Sequence, residues 1–138
     1  MNDCLFCKII KREIPATVVY EDTFSMAFLS ISPNNQGHTL VVPKRHCRNI
    51  FDMEEVTIST LSLAVRRVSH GVHKGTKSEG VNIIMNNEPA AGQVIFHAHI
   101  HVIPRYKDDG LHVWDKTTPY QNDDAEKIAG DIRKEIIN

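Results

Sequence analysis

The sequence contains the stretch Phe96-His97-Ala98-His99-Ile100-His101-Val102-Ile103, in which histidines alternate with apolar residues. Side chains of a β-strand point alternately to its two faces. As a strand, this stretch therefore carries its three histidines on one face and an apolar surface, fit to pack on a helix, on the other. Successive histidines lie about 6.6 Å apart along such a strand. One face can thus present several imidazoles to a single ligand.

Alternating apolar patterns and turn residues predict four further strands around this one. Pro43 has no backbone donor and is expected to end the third. The strands are predicted at 17–20, 24–29, 38–42, 80–85 and 94–103.

Two amphipathic helices are predicted from apolar residues recurring at steps of three and four. The first follows a capping-box pattern at Asp52 and Glu55 and ends around 71–75; the second follows Asp123 and Glu126. Their apolar stripes are Ile58, Leu61, Val65, Val68 and Val72, and Ala125, Ile128, Ala129, Ile132 and Ile136. Because strands neighbour one another along the chain, the pattern favours an α+β fold with an antiparallel sheet.

Length and composition place the chain among ordinary globular proteins. Its 138 residues suit one domain, 1–138, and a net charge of −1 argues against nucleic-acid binding. No apolar run reaches the ~20 residues of a membrane span, and the N-terminus lacks a signal-peptide pattern. An odd count of 3 cysteines favours a reducing compartment, so we expect a cytoplasmic protein without membrane partners.

The histidine stretch fits either a metal site or nucleophilic catalysis on phosphorus. The preceding loop offers amide and backbone donors at Asn86, Asn87, Gly92 and Gln93. Such donors suit an anionic phosphoryl group, whereas a catalytic metal would more often want carboxylates, and Glu88 is the only one in this loop.

Cys4 and Cys7 have the spacing of zinc ligands, and their alternatives are two reduced thiols or a redox pair. A zinc site needs two more ligands, for which the candidates are His38, His46, Cys47 and His97. A structural zinc would tether the N-terminal segment to the sheet.

Several motifs resemble the histidine triad (HIT) family of nucleotide hydrolases and transferases, in particular its zinc-carrying bacterial members. His97 to Ile103 matches the family motif His-φ-His-φ-His-φ-φ. Residues 6–15, 31–46 and 91–93 are similar to its N-terminal stretch, its third strand with the preceding loop, and the lead into the triad. The resemblance covers about 4–105 and leaves 106–138 as a C-terminal extension and helix.

The resemblance implies the HIT fold, a five-stranded antiparallel sheet with two helices, and pairing into a homodimer. It implies a purine nucleotide substrate whose 5′ phosphorus carries an amine, an acyl group or another phosphate. His99 would attack that phosphorus to form a nucleotidyl-histidine, and His101 would contact the transferred phosphate. Water would then release the nucleoside monophosphate.

The same resemblance implies the remaining site residues. A structural Zn²⁺ would be held by Cys4, Cys7, His46 and His97, so that His97 also orients the site. The nucleotide would be bound by Leu5, Phe6, Ser30, Ile31, His38, Asn86, Gln93, His99 and His101.

Two residues depart from the family pattern. Ser30 stands where relatives commonly carry an Asp that grips the ribose, which predicts looser nucleoside binding. Val94 stands where phosphoramidases often carry a Ser, which leaves dinucleoside polyphosphates open as substrates. An alternative function is therefore a zinc-stabilised nucleotide-binding module with incidental hydrolysis, and a redox or metal-catalytic protein is a third reading.

Overall fold

The computed structural model describes residues 3–112 and 117–137. Its helices are α1 (Leu5–Ile10), α2 (Glu55–Thr76) and α3 (Asp124–Glu135), with short 3₁₀ turns at Ile50–Asp52 and Pro89–Ala91. Its strands are β1 (Val18–Glu21), β2 (Ser25–Leu29), β3 (Thr39–Pro43), β4 (Gly80–Ile84) and β5 (Ile100–Arg105).

The five strands form one antiparallel sheet in the order β1-β2-β3-β5-β4. This confirms the predicted α+β architecture. β5, which ends the histidine stretch, lies between β3 and β4, with Leu40 and Ile84 both facing His101. The central place of β5 therefore supports His101 from both sides.

Each face of the sheet has its own apolar core. On one face, Ala27, Val41 and Val102 pack against the buried stripe of α2. On the other, Phe28 and Leu40 pack against Phe6 of α1. Because residues alternate between faces, His101, between Ile100 and Val102, lies on the α1 face. The imidazoles therefore gather on the thinly covered side of the sheet.

The fifth strand is shorter than the predicted 94–103. The ladder begins only at Ile100, and residues 94–99 are irregular. Ala98 and Ile100 are buried as expected, but Phe96 is 40% exposed and stacks beneath the Arg48 guanidinium, 4.2 Å from the ring centre. The prediction that Phe96 packs on a helix is therefore wrong.

The helix ends also differ from the predicted capping. α2 begins at Glu55 after Glu54, and the Asp52 carboxylate instead accepts from the backbone N–H groups of Arg48 and Asn49. The helix runs to Thr76, where Lys77 adopts a left-handed conformation with φ 56°. α1, a third helix beside the two expected, has only 6 residues and too few turns to show a period.

α3 forms where predicted, but Asp123 makes no side-chain capping bond. Its isoleucines are largely exposed, with Ile132 at 57%. In the ranges described, no helix combines the length and apolar content needed to cross a bilayer.

Candidate functional site

The backbone fixes the protonation pattern of the His99 ring. Its Nδ1 lies 2.7 Å from the carbonyl oxygen of His97, which can only accept, so Nδ1 carries the hydrogen. In the neutral ring, Nε2 then holds a free lone pair. Burial lowers the pKa of His99 and so favours this neutral form. The ring is consequently set up as a nitrogen nucleophile.

His38 and His101 form a second ordered unit beside it. The backbone N–H of Asn34 donates to Nδ1 of His38 over 3.1 Å, which leaves the His38 hydrogen on Nε2. That Nε2 lies 2.9 Å from Nδ1 of His101, so His38 donates to His101. The His101 hydrogen is then on its outer nitrogen, Nε2, available to an acceptor.

The rings of His99 and His101 are neighbours, with their centres 5.0 Å apart. Phe6 supports the site from α1, its ring edge-on to His99 at 5.1 Å. Burial lowers the pKa of His101 to about 4 and also lowers that of His38. All three rings are therefore neutral near pH 7, one presenting a lone pair and its neighbour an N–H.

The predicted metal ligands Cys4, Cys7, His46 and His97 converge, with their donor atoms all within 4.8 Å of one another. The His46 and His97 Nδ1 atoms are 3.2 Å apart, and three of the four sulfur–nitrogen distances are 3.4 to 3.6 Å. A tetrahedral zinc with these ligands needs separations of about 3.3 to 3.8 Å. The geometry therefore fits a zinc ion.

The chemistry of the four donors supports the same fit. Nε2 of His97 donates to the Pro43 carbonyl over 2.8 Å, which leaves the Nδ1 lone pair aimed into the cluster. Burial, together with the adjacent Cys4 thiol, raises the pKa of Cys7. A divalent cation would satisfy both features, since it takes up a lone pair and favours thiolates. Cys47 is also a free thiol but lies outside this cluster.

Gln93 does not have the predicted free amide for a phosphate. Its Nε2 donates to the carbonyls of Arg48 and Ile95, at 2.7 and 3.1 Å. Its Oε1 accepts from the Glu88 backbone N–H and the Asn49 side chain, at 2.8 and 3.1 Å. With both N–H groups engaged, Gln93 holds the loop together, which corrects its expected role as a direct phosphate ligand.

The expected role of Asn86 as a phosphate ligand stays a prediction. This residue follows β4, where Ile84 pairs with His101. Asn86 lies two residues beyond the end of β4, and His99 directly precedes β5. Gly92 lies beside Asn86 and has φ 89°. A Cβ at this position would lie 3.6 Å from the Asn86 side-chain nitrogen.

Two site residues, Arg48 and Asn49, were missed by the sequence analysis because their contacts are distant in sequence. Arg48 donates twice to the Glu88 carboxylate, at 2.9 and 2.8 Å, and Asn49 donates to it at 2.7 Å. Glu88, considered from sequence as a loop carboxylate, is thus engaged in an ion pair. No periodicity or motif signals such a tie across about 40 residues.

The residues that are expected to contact a nucleoside lie at an open surface. The Ser30 hydroxyl accepts from the Ser32 N–H at 3.2 Å, and Ile31 is 99% exposed. A cavity of about 420 Å³ runs past them; its lining is Pro15, Ala16, Thr17, Leu29, Ser30 and Ile31. Leu5 is partly exposed, whereas Phe6 is buried beneath the histidines. The expected roles of these residues in binding a base remain predictions.

Known proteins are similar to this chain in sequence and in fold. A Bacillus subtilis protein of the HIT family with a solved crystal structure is 37% identical, with a TM-score of 0.91 and 99% coverage of both chains. The adenosine 5′-monophosphoramidase of Saccharomyces cerevisiae is 36% identical over 97% of this chain and 80% of its own. A zinc-bound histidine triad protein of Mycobacterium smegmatis is 30% identical, with a TM-score of 0.77, and covers 96% and 95% of the two chains.

The domain match agrees with these likenesses. Residues 11–108, most of the chain, match the HIT domain. They include the sheet, α2 and the three alternating histidines. By its fold, its histidine stretch and its relatives, the chain belongs to the HIT family.

Proposed function

We propose that this protein hydrolyses purine nucleotide conjugates at the 5′ α-phosphorus through a nucleotidyl-histidine formed on His99. The observation that carries the proposal is the His99 ring, whose Nδ1–H is held by the His97 carbonyl while Nε2 keeps its lone pair. A neutral imidazole of this kind is a good nucleophile and a good leaving group.

In the first step, the Nε2 lone pair forms a bond to phosphorus while the bond to the leaving group breaks. The leaving group departs with that bond's electron pair, and an amine takes a proton from water as well. The ring becomes cationic, and its Nδ1–H bond to the His97 carbonyl strengthens as the charge develops. In the second step, water attacks phosphorus, gives up a proton and releases the nucleoside monophosphate, which restores His99.

Hydrogen-bond donors around the phosphorus stabilise the charge that builds on its oxygens. His101 supplies the N–H on its outer nitrogen, whose position is set by His38. Asn86 supplies a further donor from the loop, whereas the Gly92 N–H already donates to the Pro89 carbonyl at 3.0 Å. Leu5, Phe6, Ser30 and Ile31 would contact the nucleoside.

Similarity to an adenosine 5′-monophosphoramidase supports phosphoramidates as one substrate class. The absence of a hydroxyl at Val94, which is 78% exposed, keeps dinucleoside polyphosphates as the other. Their leaving phosphate needs no proton, so they depend less on an acid at that position.

Cys4, Cys7, His46 and His97 would hold a structural zinc. When bound, zinc would fix the start of α1 to the segments after β3 and before β5. The likeness to a zinc-bound family member supports this assignment. His97 would then serve both as a ligand and, through its carbonyl, as the partner that orients His99.

The functional unit would be a homodimer joined through β4. β4 is an edge strand with a regular ladder on its inner side, and within residues 3–112 and 117–137 no strand pairs with its outer side. The other edge, β1, carries a register irregularity between Val18 and Tyr20, which disfavours pairing there.

A nucleotide-binding module with incidental hydrolysis is the second candidate. The engaged Ser30 hydroxyl and the exposed Ile31 favour it, because they offer a weak grip on a nucleoside. Such a protein would bind its partner or ligand with or without His99.

The deciding experiment compares the wild type with His99→Ala on adenosine phosphoramidate and a diadenosine polyphosphate, reading released AMP. We expect turnover of at least one substrate by the wild type and of neither by the variant. Alkaline denaturation followed by mass spectrometry should trap AMP covalently attached to His99. No AMP release by the wild type would contradict the hydrolase and favour the binding module.

A further inference from the structure

The loop that leads into the histidines contains a backbone outlier at Glu88. This residue has φ 74° and ψ 157°, a region that is almost confined to glycine. A side chain held in such a conformation must be stabilised by its surroundings, and outliers of this kind cluster at functional sites. The presence of glutamate instead of glycine at position 88 therefore needs a structural explanation.

The surroundings hold the Glu88 side chain from several directions. Arg48 grips the carboxylate with two parallel N–H bonds, and Asn49 adds a third donor. The Arg48 guanidinium lies over the face of the Phe96 ring, and Phe96 directly precedes His97. Hydrogen bonds from Arg48 set the pKa of Glu88 at about 2, so the carboxylate stays charged across the working range.

Further bonds join the same two segments on either side of this pair. Gln93 donates to the Arg48 carbonyl, and the Ile50 N–H donates to the Asn87 side chain at 2.9 Å. The Cys47 carbonyl accepts from the Ala98 N–H at 2.8 Å. The segment 47–50 therefore holds the loop at Asn87, Glu88 and Gln93, and Glu88 is the point at which a charged side chain reaches across.

We propose that Glu88 is a positioning residue, and that its ion pair with Arg48 holds the 86–93 loop so that Asn86 meets the phosphate beside His99. This inference rests on the proposed hydrolase for the identity of the ligand. The strained backbone is what directs the Glu88 carboxylate back to Arg48 while the loop on either side stays close to the histidines.

The position of segment 47–50 explains why the loop is tied there. It directly follows His46, whose Nδ1 lies in the cysteine–histidine cluster, and Arg48 is two residues away. The loop is thereby tied to the segment that carries His46, which lies in one cluster with His97. Misplacement of a phosphate-binding group by about 1 Å can cost on the order of 100-fold in rate, so such a tie has a direct effect on turnover.

The test uses three variants and one matched control. Glu88→Gln removes the charge and keeps the size, Glu88→Gly removes the carboxylate and the backbone strain together, and Arg48→Lys keeps a cation without the two-pronged bond. The control is Glu54→Gln, which breaks the Arg45–Glu54 ion pair, another exposed pair outside the loop. Each protein is measured for kcat and KM on adenosine phosphoramidate, for the Kd of AMP by calorimetry, and for Tm.

We expect both Glu88 variants to lose about tenfold or more in kcat/KM, mostly in kcat, with Arg48→Lys intermediate and Glu54→Gln within about twofold of wild type. Glu88→Gly should keep a Tm at or above that of Glu88→Gln, because glycine adopts this conformation freely. A fall in activity without a fall in Tm separates positioning from folding.

Wild-type turnover with Glu88 variants matching Glu54→Gln would overturn the inference and leave the hydrolase intact. A wild type that releases no AMP would overturn the hydrolase instead, and the AMP affinity would then decide about Glu88. Weakening of AMP binding by about tenfold in Glu88→Gln, but not in Glu54→Gln, would support its positioning role, and equal affinities would refute it.

Discussion

His38 and His101 are joined by a 2.9 Å hydrogen bond whose direction is set from outside the pair, by the Asn34 N–H on the other ring nitrogen of His38. The direction matters because a neutral imidazole donates from one nitrogen only. Asn34 thereby determines that His101 presents an N–H, and not a lone pair, at its outer edge. The His97 carbonyl holds the Nδ1–H of His99, so His99 presents a lone pair at Nε2. One backbone donor and one backbone acceptor thus give adjacent histidines complementary roles.

Replacing His101 should therefore reduce turnover without preventing the attack by His99. We expect His101→Ala to lower kcat/KM by about 100-fold, the usual cost of one lost donor to a developing oxyanion. His38→Ala should lower it by about tenfold, because His101 remains but its proton is no longer held on the outer nitrogen. His70→Ala, at an exposed position of α2, is the control and should leave turnover unchanged. Equal effects of all three substitutions in steady-state assays would contradict these assignments.

The burial of His101 also predicts how stability depends on pH. Its pKa is lowered to about 4, while the unfolded chain should titrate near 6.5, so below pH 6.5 the unfolded state binds the proton first. The free energy of unfolding should fall as the pH falls from about 6.5 towards 4, and the His101 contribution should reach about 2 kcal/mol at pH 5. Urea unfolding at pH 7 and pH 5 measures this loss.

His101→Gln is the comparison for that measurement, because glutamine does not titrate. The wild type should lose about 2 kcal/mol more than the variant between the two pH values. Acid release of any bound metal affects both proteins alike and cancels in the difference. Parallel losses would show that the ring titrates normally in the folded protein.

The sequence predicted those parts of the fold that depend on short-range periodicity. The strands over β1 to β4 and the apolar stripe of α2 were found within a few residues, since burial on one face imposes the pattern directly. The start of β5 was not predicted correctly, because the alternation over 94–99 reflects separate side-chain contacts and not a strand. His97 turns to the cysteines and Phe96 to Arg48, so an alternating pattern exists where no ladder does.

The site residues likewise fall into those that the sequence predicted and those that only the fold brings together. The spacing of Cys4 and Cys7 left their partners open, and the family resemblance implied His46 and His97, with which they converge. The network of Arg48, Asn49 and Glu88 could not be predicted, because it depends on which distant segments meet. Gln93 was assigned to a ligand because a buried amide and a free amide look identical in sequence.

Removal of a single thiol should test the metal site. Cys4→Ser should lose the one zinc per chain that the wild type is expected to bind, and its Tm should fall, since the wild type gains about 4 kcal/mol with metal at a thousand times its Kd. Cys47→Ser is the control, because Cys47 is buried next to His46 but outside the cluster. Zinc content by elemental analysis and Tm with and without chelator are the measurements. Wild-type protein purified without zinc, and unable to bind it, would contradict the site.

Pairing through β4 would place an exposed aliphatic residue of β4 in the dimer interface and leave an equally exposed one of β1 outside it. Ile83 on β4 is 54% exposed and Val19 on β1 is 52% exposed, so burial in the isolated chain gives no reason to distinguish them. If β4 forms the dimer interface, Ile83→Lys places a charge in a desolvated contact and should shift the protein towards monomer, whereas Val19→Lys should not. Light scattering coupled to gel filtration over a concentration series measures the shift. A wild type that is monomeric at all concentrations, or a dimer that Val19→Lys disrupts and Ile83→Lys leaves intact, would rule out the β4 interface, because the two residues then differ in the wrong direction.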